Sequence, residues 1–353
     1  MIELDGSYGE GGGQILRSAI ALSALAKRAI RISNIRAGRS NPGLRRQHLA
    51  GIEVIAKLTD AKVKGLEVGS TKVEFRPSEK RGGFLEYDIG TAGAISLLLQ
   101  AALPVAVFAP EQVELHIRGG TDVAWSPPID YIQNVFVPII ERMGCTIKIH
   151  QIKRGHYPKG GGKVKVIIEP VKELQPIDAT NFGQVEKIEG ISHCVRLPSH
   201  IAERQATSAE EILRKYGFED ITIERESYKK KSDPHLGAGT GIVIWAESDQ
   251  GYRVGADALG ARGKPAEKVG REAAKKLITE ISSDQAVDSH LADMLVPYLA
   301  LAKGTSTIGI TKLTSHLETN VWVARKLLDV EVELVGKVGE PGTLRVHGIG
   351  SLP

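Results

Sequence analysis

The sequence predicts an α/β (α+β) protein: a large domain of three repeated βαβαββ-type units, with a smaller α/β domain inserted in the third unit. Three observations predict this class. Runs rich in Val and Ile alternate with segments whose apolar residues stand three and four positions apart, the pattern of strands and amphipathic helices. The same order of segments recurs three times along the 353 residues. A stretch with a different order of strands and helices interrupts the third copy.

The first two units have matching elements in matching order. Each begins with a short strand and a glycine-rich turn before its first helix, at 2–5 with 6–13 and at 85–89 with 90–93. In the first unit we then expect a helix at 14–26, a strand at 29–35, a helix at 47–58, and strands at 63–68 and 71–75. In the second we expect a helix at 94–107, a strand at 112–117, a helix at 129–143, and strands at 146–151 and 162–168.

The third unit is interrupted after its first strand, which we expect near 176–185. Its remaining elements are predicted at 291–302 (helix), 305–311 (strand), 317–328 (helix), 330–335 and 343–348 (strands). The insert has strands at 185–196, 221–227, 241–246 and 252–257 and helices at 202–216 and 265–281. We therefore predict a large domain at 1–183 and 283–353 and an inserted domain at 184–282. A simple tandem boundary near 180 is the weaker alternative, because the third unit would then lack a core.

Composition limits the function classes. The net charge of +4 permits an anionic ligand, whereas a nonspecific nucleic-acid coat protein is usually more basic. Cys145 and Cys194 have no metal-ligand spacing and are too few for a disulfide framework. No apolar run approaches the ~20 residues that span a bilayer, and the N-terminus has no secretion-signal pattern. We expect a cytoplasmic protein without a membrane partner.

Equivalent loops of a repeat lie on one face, so the loops before the second helix of each unit are candidate site segments. The first, at 35–48, carries several arginines; the second, at 119–128, is polar and proline-rich; the third holds the lone His316. Guanidinium groups bind phosphates bidentately, and a helix N-terminus keeps an imidazole neutral and nucleophilic. A solvated arginine face and a structural histidine remain the alternatives.

The glycine turn 9–13 opens the first helix with three consecutive glycines, which destabilise a helix start. Either the backbone there must approach another group closely, as at an anion-binding helix N-terminus, or the segment is an ordinary flexible turn.

Six segments taken together resemble RNA 3′-terminal phosphate cyclases. They are EGGGQILRS (10–18), IRAGRSNPGLRRQHL (35–49), GGTD with SPP (119–122 and 126–128), GHYPKGGG (155–162), LAD (291–293) and SHLETN (315–320). The resemblance extends from residue 1 to about 330 and is much less specific in the insert.

The resemblance implies a mechanism. Neutral His316 attacks the α-phosphate of ATP, AMP passes from the histidine to an RNA 3′-phosphate end, and the 2′-hydroxyl closes a 2′,3′-cyclic phosphate and expels AMP. It also implies a divalent cation, Mg²⁺ or Mn²⁺, in contact with Glu10. The remaining implied residues are Glu10, Arg17, Gln100, Pro127, His290, Leu291, Ala292, Asp293 and Met294 for ATP, and Arg36, Arg39, Gln47 and His48 for the substrate phosphate.

Two positions depart from the family pattern. His290 stands where tyrosine is usual, so the resemblance does not extend to a tyrosine stacked on adenine there, and Ser315 replaces a cysteine beside the nucleophile. Two rival functions remain: a non-catalytic ribosome-assembly relative, which lacks the nucleophile, and an enolpyruvyl transferase, which shares triplicated repeats.

Overall fold

The computed structural model describes residues 1–350; the last three residues of the predicted large domain, 351–353, lie outside the described part. The chain has the mixed α/β class predicted from the sequence. Its strands form four four-stranded sheets. Within residues 1–350 there is no helix with the length and apolar character needed to cross a membrane.

The first unit follows the predicted order. Its elements are β1 (Ile2–Asp5), α1 (Gln14–Leu25), β2 (Ile30–Ser33), α2 (Arg46–Leu58), β3 (Lys62–Lys64) and β4 (Val73–Arg76). The sheet has the order β1-β2-β4-β3, with β1 and β2 parallel and the other pairs antiparallel. The strand predicted at 63–68 is shorter because Gly65 and Gly69 both adopt positive φ and turn the chain.

The second unit differs from its prediction at its second helix. Its elements are β5 (Gly83–Asp88), α3 (Ile95–Ala106), β6 (Val113–Gly119), α4 (Ile129–Tyr131), α5 (Val137–Arg142), β7 (Thr146–Lys153) and β8 (Gly162–Glu169), in a sheet of order β5-β6-β8-β7. A π-helical segment, Ile132–Phe136, joins α4 to α5 where one continuous helix is predicted. Pro138 has no N–H to continue the α-helical ladder, which explains the change of hydrogen-bond pattern.

The third unit begins with β9 (Asp178–Ala179), only two residues long. The strand predicted near 176–185 is short because Val185 already belongs to the insert. The insert contains β10 (Val185–Val195), α6 (His200–Lys215), β11 (Ile221–Ser227), β12 (Gly239–Ser248), β13 (Arg253–Leu259) and α7 (Ala266–Ile281). Its strands form a separate sheet of order β11-β10-β12-β13.

The chain then completes the third unit with α8 (Ser289–Leu301), β14 (Lys303–Ile310), α9 (Ser315–Leu328), β15 (Glu331–Val335) and β16 (Gly342–Ile349). The sheet order β15-β16-β14-β9 is the same as in the first two units when read from the other edge. Each of these three sheets therefore pairs its first and second strands in parallel and places the last strand beside the second.

Helices α1, α3 and α8, the first helix of each unit, are buried almost completely. In α1 only Arg17 is not buried, in α3 only Leu97 and Gln100, and in α8 only Ser289 and His290. All but Ser289 of these five residues line the cavities described below. The apolar surfaces of these helices form the core, and the few remaining positions point toward the site.

We propose that 184–282 folds as a domain of its own, because the chain enters and leaves it at neighbouring points. Asn181 and Gln285 form an antiparallel bridge, and the N–H of Phe182 donates to the Asp284 carbonyl at 3.1 Å. Replacing 184–282 by a short linker is expected to leave a soluble protein that unfolds cooperatively with a lower Tm, measured by circular dichroism. A wholly insoluble truncation, beside benign point substitutions within the insert, would show that the boundary is wrong.

Candidate functional site

His316 lies in the first turn of α9, and the sequence just before it fixes the start of that helix. Thr314 is the N-cap residue, and its hydroxyl accepts the N–H of Leu317 at 2.9 Å. The same hydroxyl donates to Asp293 Oδ1 at 2.5 Å. The imidazole is 42 % exposed, so it is available to a ligand while its backbone is held.

Two carboxylates flank the imidazole, one at each nitrogen. Glu10 Oε2 lies 2.8 Å from His316 Nε2, and Asp293 Oδ2 lies 3.5 Å from Nδ1. Glu10 also forms an ion pair with Arg39. The nucleophile candidate therefore sits between an acidic residue of the glycine turn and one of α8.

The glycine turn needs its glycines for close approach. Gly9 has a φ of +63°, and a Cβ there would collide with the Thr319 hydroxyl of α9. A Cβ on Gly12 would collide with the Glu10 carboxylate itself. The structure therefore shows the first of the two alternatives that the sequence left open: the backbone of the glycine turn lies very close to other groups. This close approach places Glu10 next to α9.

A buried polar network connects α1, α8 and α9 behind the histidine. Gln14 donates to Asn320 Oδ1 at 3.0 Å, and Ser18 donates to the same oxygen at 2.5 Å. The amide of Asn320 donates to the Asp293 carbonyl at 2.7 Å. Because a half-satisfied buried network is costly, these bonds hold α9 in one position on the central helices.

A cationic cavity of about 970 Å³ opens on the Glu10 side of His316. Five arginines line it: Arg17, Arg36, Arg39, Arg45 and Arg46. Two of them also stabilise the loop 35–48 itself. Arg36 donates to the carbonyls of Asn41 and Gly43, and Arg45 donates to the carbonyl of Asn41. Glu10 is the only carboxylate among the described lining residues, so the cavity suits a highly charged anion such as a phosphate.

Arg17 is positioned by amide side chains rather than by an ion pair. It donates to Gln14 Oε1 at 2.5 Å and to Gln100 Oε1 at 3.0 Å. Burial lowers the pKa of Arg17 to about 10, although the nearby Asp293 charge opposes that shift. The guanidinium therefore remains charged at neutral pH.

His48 enters the same cavity as a neutral ring. Burial, and then the charges of Arg17, Arg36 and Arg45, lower the pKa of His48 to about 3. Its Nδ1 accepts the backbone N–H of Arg45 at 3.0 Å, so the proton is on Nε2, which points toward Gly13. His48 can therefore act as a hydrogen-bond donor to an anion without carrying charge.

A second cavity, of about 350 Å³, opens on the Asp293 side and is lined by Gln100, Pro127, His290, Asp293 and Met294 among others. The insert contributes Asp257, Leu259 and Lys276 to its wall. The size and the mixed lining suit a nucleoside.

Every predicted site residue lines one of the two cavities except Leu291 and Ala292, which are fully buried. Their burial follows from helix geometry, and their role in binding ATP stays a prediction. On α8 the positions three and four apart, 290, 293 and 294, face the cavity, and the two residues between them turn into the core.

Five residues line both cavities, namely Gln14, Arg17, Leu97, Trp125 and His316. Trp125 was not predicted: its side chain is 98 % exposed and its φ is +62°. Tyr157, 79 % exposed, lines the cationic cavity as well. A tryptophan in a polar loop before two prolines is the sequence signal that could have found the first of these.

Comparison with known proteins identifies the family to which this arrangement belongs. The sequence model of the RNA 3′-terminal phosphate cyclase family matches residues 8–334. The chain belongs to this family. It is 53 % identical over 351 residues to the RNA 3′-terminal phosphate cyclase of Methanopyrus kandleri and 51 % identical over 350 residues to that of Ignicoccus hospitalis, with 99 % of each chain covered. The protein of the same name from Thermococcus sibiricus is 52 % identical over 344 residues and 97 % of each chain.

Membership in the RNA 3′-terminal phosphate cyclase family confirms the resemblance inferred from the six segments, and with it the assignment to a ligase-type enzyme. Among solved structures, the enolpyruvyl transferase NikO from Streptomyces tendae aligns with 99 % of this chain and 48 % of its own, at a TM-score of 0.43 and 12 % identity.

Proposed function

We propose that this chain converts an RNA 3′-terminal phosphate to a 2′,3′-cyclic phosphate with ATP, through AMP bound covalently to His316. The observation that carries the proposal is the position of the His316 imidazole, which lines both a nucleoside-sized cavity and a cationic one. An ATP molecule with its adenosine in the first and its outer phosphates in the second places the α-phosphate beside the ring. Family membership supports the same activity.

The first step forms a bond between His316 Nε2 and the α-phosphorus and breaks the bond to pyrophosphate. Nε2 must then carry the lone pair, and the ring proton must be on Nδ1. Asp293, beside Nδ1, stabilises that tautomer, while Glu10 must release Nε2 before the attack.

The cationic cavity binds two phosphate groups in turn: pyrophosphate in the first step and the RNA 3′-phosphate in the second. In-line displacement requires the RNA 3′-phosphate to attack the α-phosphorus opposite the bond to Nε2. Pyrophosphate left from that same side in the first step, so the arginines that stabilise the leaving pyrophosphate afterwards hold the incoming RNA phosphate. In the third step the 2′-oxygen attacks the 3′-phosphorus, the anhydride bond breaks and AMP leaves, while the hydroxyl proton passes to water.

A Mg²⁺ or Mn²⁺ ion fits the donor set at Glu10. Such ions are bound by one or two carboxylates together with substrate phosphates, and Glu10 is the carboxylate that faces the cationic cavity. The ion neutralises charge on the triphosphate when it is bound. Glu10 would hold such an ion once its carboxylate has released Nε2 of His316.

Incubation with α-labelled ATP tests the proposal. The purified chain is expected to retain label on the protein and to release pyrophosphate in equal amount. On addition of RNA with a 3′-phosphate, the label is expected to leave as AMP while a 2′,3′-cyclic end forms. A chain that takes up no label, yet binds RNA, would instead be a non-catalytic relative.

We predict that Trp125 supports the terminal base of the RNA. Base stacking on an aromatic side chain contributes about 1–3 kcal/mol, so Trp125→Ala is expected to raise the Kd for RNA by about 5- to 150-fold. Its side chain is almost fully exposed, so Tm is expected to stay within about 1 °C. The matched control is Tyr216→Ala, which removes an aromatic ring 65 % exposed on the insert and away from both cavities. A raised KM for ATP with unchanged RNA binding would assign Trp125 to the nucleotide instead.

A further inference from the structure

A second cluster of chemically active side chains lies outside the site, where the insert meets the second unit. Asp122 and His156 come from loops of the second unit, and His193 comes from β10 of the insert. All three are buried, with exposures of 2 %, 6 % and 0 %. The mechanism proposed above uses none of them.

The three side chains converge on a common point. The Nε2 atoms of His156 and His193 are 3.0 Å apart. Asp122 oxygens lie 3.7 Å from the Nε2 of His193 and 4.0 Å from that of His156, too far for hydrogen bonds. The two distances belong to different oxygens, Oδ1 and Oδ2. One oxygen of Asp122 and the two Nε2 atoms all lie within 4.8 Å of one another, a spacing similar to that of ligands around one zinc ion, each about 2 Å from the metal.

A hydrogen-bonded imidazole pair explains this geometry less well. One Nε2 would donate to the other, so the two rings would have to be different tautomers although their buried surroundings are alike. The Nδ1 atoms of both rings are buried and have no hydrogen-bond partner among the described residues. With Nε2 bound to a metal, each Nδ1 keeps its proton, so both rings have the same protonation state and both lone pairs at the centre are used.

The surrounding chain holds these rotamers in place. Thr121 donates to Asp122 Oδ2 at 2.6 Å, which fixes the carboxylate. Gly239 lies so close to the His156 ring that a Cβ would collide with it, and a Cβ on Gly241 would lie 3.1 Å from Cε1 of His193. Ligands preorganised by packing lose little entropy when an ion binds.

The balance of charged groups around the cluster is compatible with a bound cation. Arg154 is buried and pairs with Asp122, Asp130 and Glu226, at 3.2, 2.8 and 2.6 Å. One guanidinium thus faces three carboxylates.

We propose that Asp122, His156 and His193 bind one Zn²⁺ ion that fastens the insert to the large domain. Two imidazoles and one carboxylate suit zinc and cobalt, whereas Mg²⁺ prefers oxygen ligands, so this site is distinct from the ion contact at Glu10. The ion joins residues from both domains. It also fixes His156 directly before Tyr157, whose ring lines the cationic cavity, and it borders a cleft of about 850 Å³ between the insert and the second unit.

Metal content tests the proposal on the full chain. Protein purified without chelator or affinity metal is expected to contain about one zinc per chain by plasma mass spectrometry. After removal of zinc and addition of Co²⁺, the visible absorption bands of cobalt in a nitrogen-ligand site are expected to appear. His193→Ala is expected to lose both signals, while His150→Ala, which removes an exposed imidazole from β7, is expected to keep both.

Chelation provides a second measurement. A chelator is expected to lower the Tm of the wild-type protein and of His150→Ala and to leave the Tm of His193→Ala unchanged. Should His193→Ala fail to fold, His156→Gln, which keeps much of the ring's volume, takes its place in both measurements. A wild-type chain that binds neither zinc nor cobalt stoichiometrically overturns the proposal and makes the cluster a hydrogen-bonded pair; binding that survives both substitutions overturns it as well.

Discussion

Replacing His316 with asparagine is expected to abolish the transfer of AMP from α-labelled ATP to the protein. Asparagine has no basic lone pair with which to attack the α-phosphorus, so the first step loses its nucleophile rather than part of its transition-state stabilisation. The side chain is 42 % exposed and its hydrogen bonds are to the site, so folding and Tm are expected to survive the change. Labelled protein, separated from free ATP, is the measurement.

The same variant separates the first step from the last one. RNA supplied with its 3′-phosphate already joined to AMP needs no histidine nucleophile, so His316→Asn is expected to cyclise it at a rate near that of the wild type. In the wild type the label is expected to be stable in alkali and labile in acid, as a phosphoramidate of imidazole is. Label that maps to His48 or to a lysine would falsify the assignment of His316.

The sequence points to His316 because the signals are local and repeated, and its role as nucleophile stays a prediction. A strand, a polar loop and a helix recur in each unit, and equivalent loops of a repeat lie on the same face. The structure indeed brings Arg39, Trp125 and His316, from the equivalent loops of the three units, around the cationic cavity. The mixed α/β class follows from the same periodicities and is confirmed.

Features that depend on tertiary contacts were not predictable in this way. Gly9 of the glycine turn approaches Thr319 of α9, a partner about three hundred residues away in sequence. The shortness of β9 follows from the start of the insert's sheet at Val185. Likewise Asp257 lines the second cavity because β13 of the insert lies beside the start of α8, where the N–H of Gly255 donates to Asp288 at 3.0 Å, so no spacing in the sequence relates it to the site.

Asp293→Asn is expected to lower the rate of His316 adenylylation by about 10³- to 10⁴-fold, because the amide would fix the wrong tautomer. Thr314 donates to Asp293 Oδ1, and its hydroxyl cannot turn away since it accepts the N–H of Leu317. In the variant the oxygen therefore stays toward Thr314, and the amide N–H₂ faces His316 Nδ1. A ring that accepts at Nδ1 has its proton on Nε2 and no lone pair for attack, as in a catalytic triad whose aspartate becomes asparagine.

Asp293→Ala is the informative comparison, because it removes the carboxylate without placing a donor at Nδ1. Water can then accept the Nδ1 proton, so alanine is expected to cost less than asparagine, about 10²-fold in single-turnover AMP transfer. If Asp293 only contributed to ATP binding, alanine would be expected to cost more than asparagine, because asparagine keeps more of the aspartate's contacts. Equal losses in both variants that vanish at saturating ATP would make Asp293 a nucleotide ligand alone. A larger loss in asparagine that persists at saturation, with unchanged Tm, is the result that identifies Asp293 as the residue that sets the tautomer of His316.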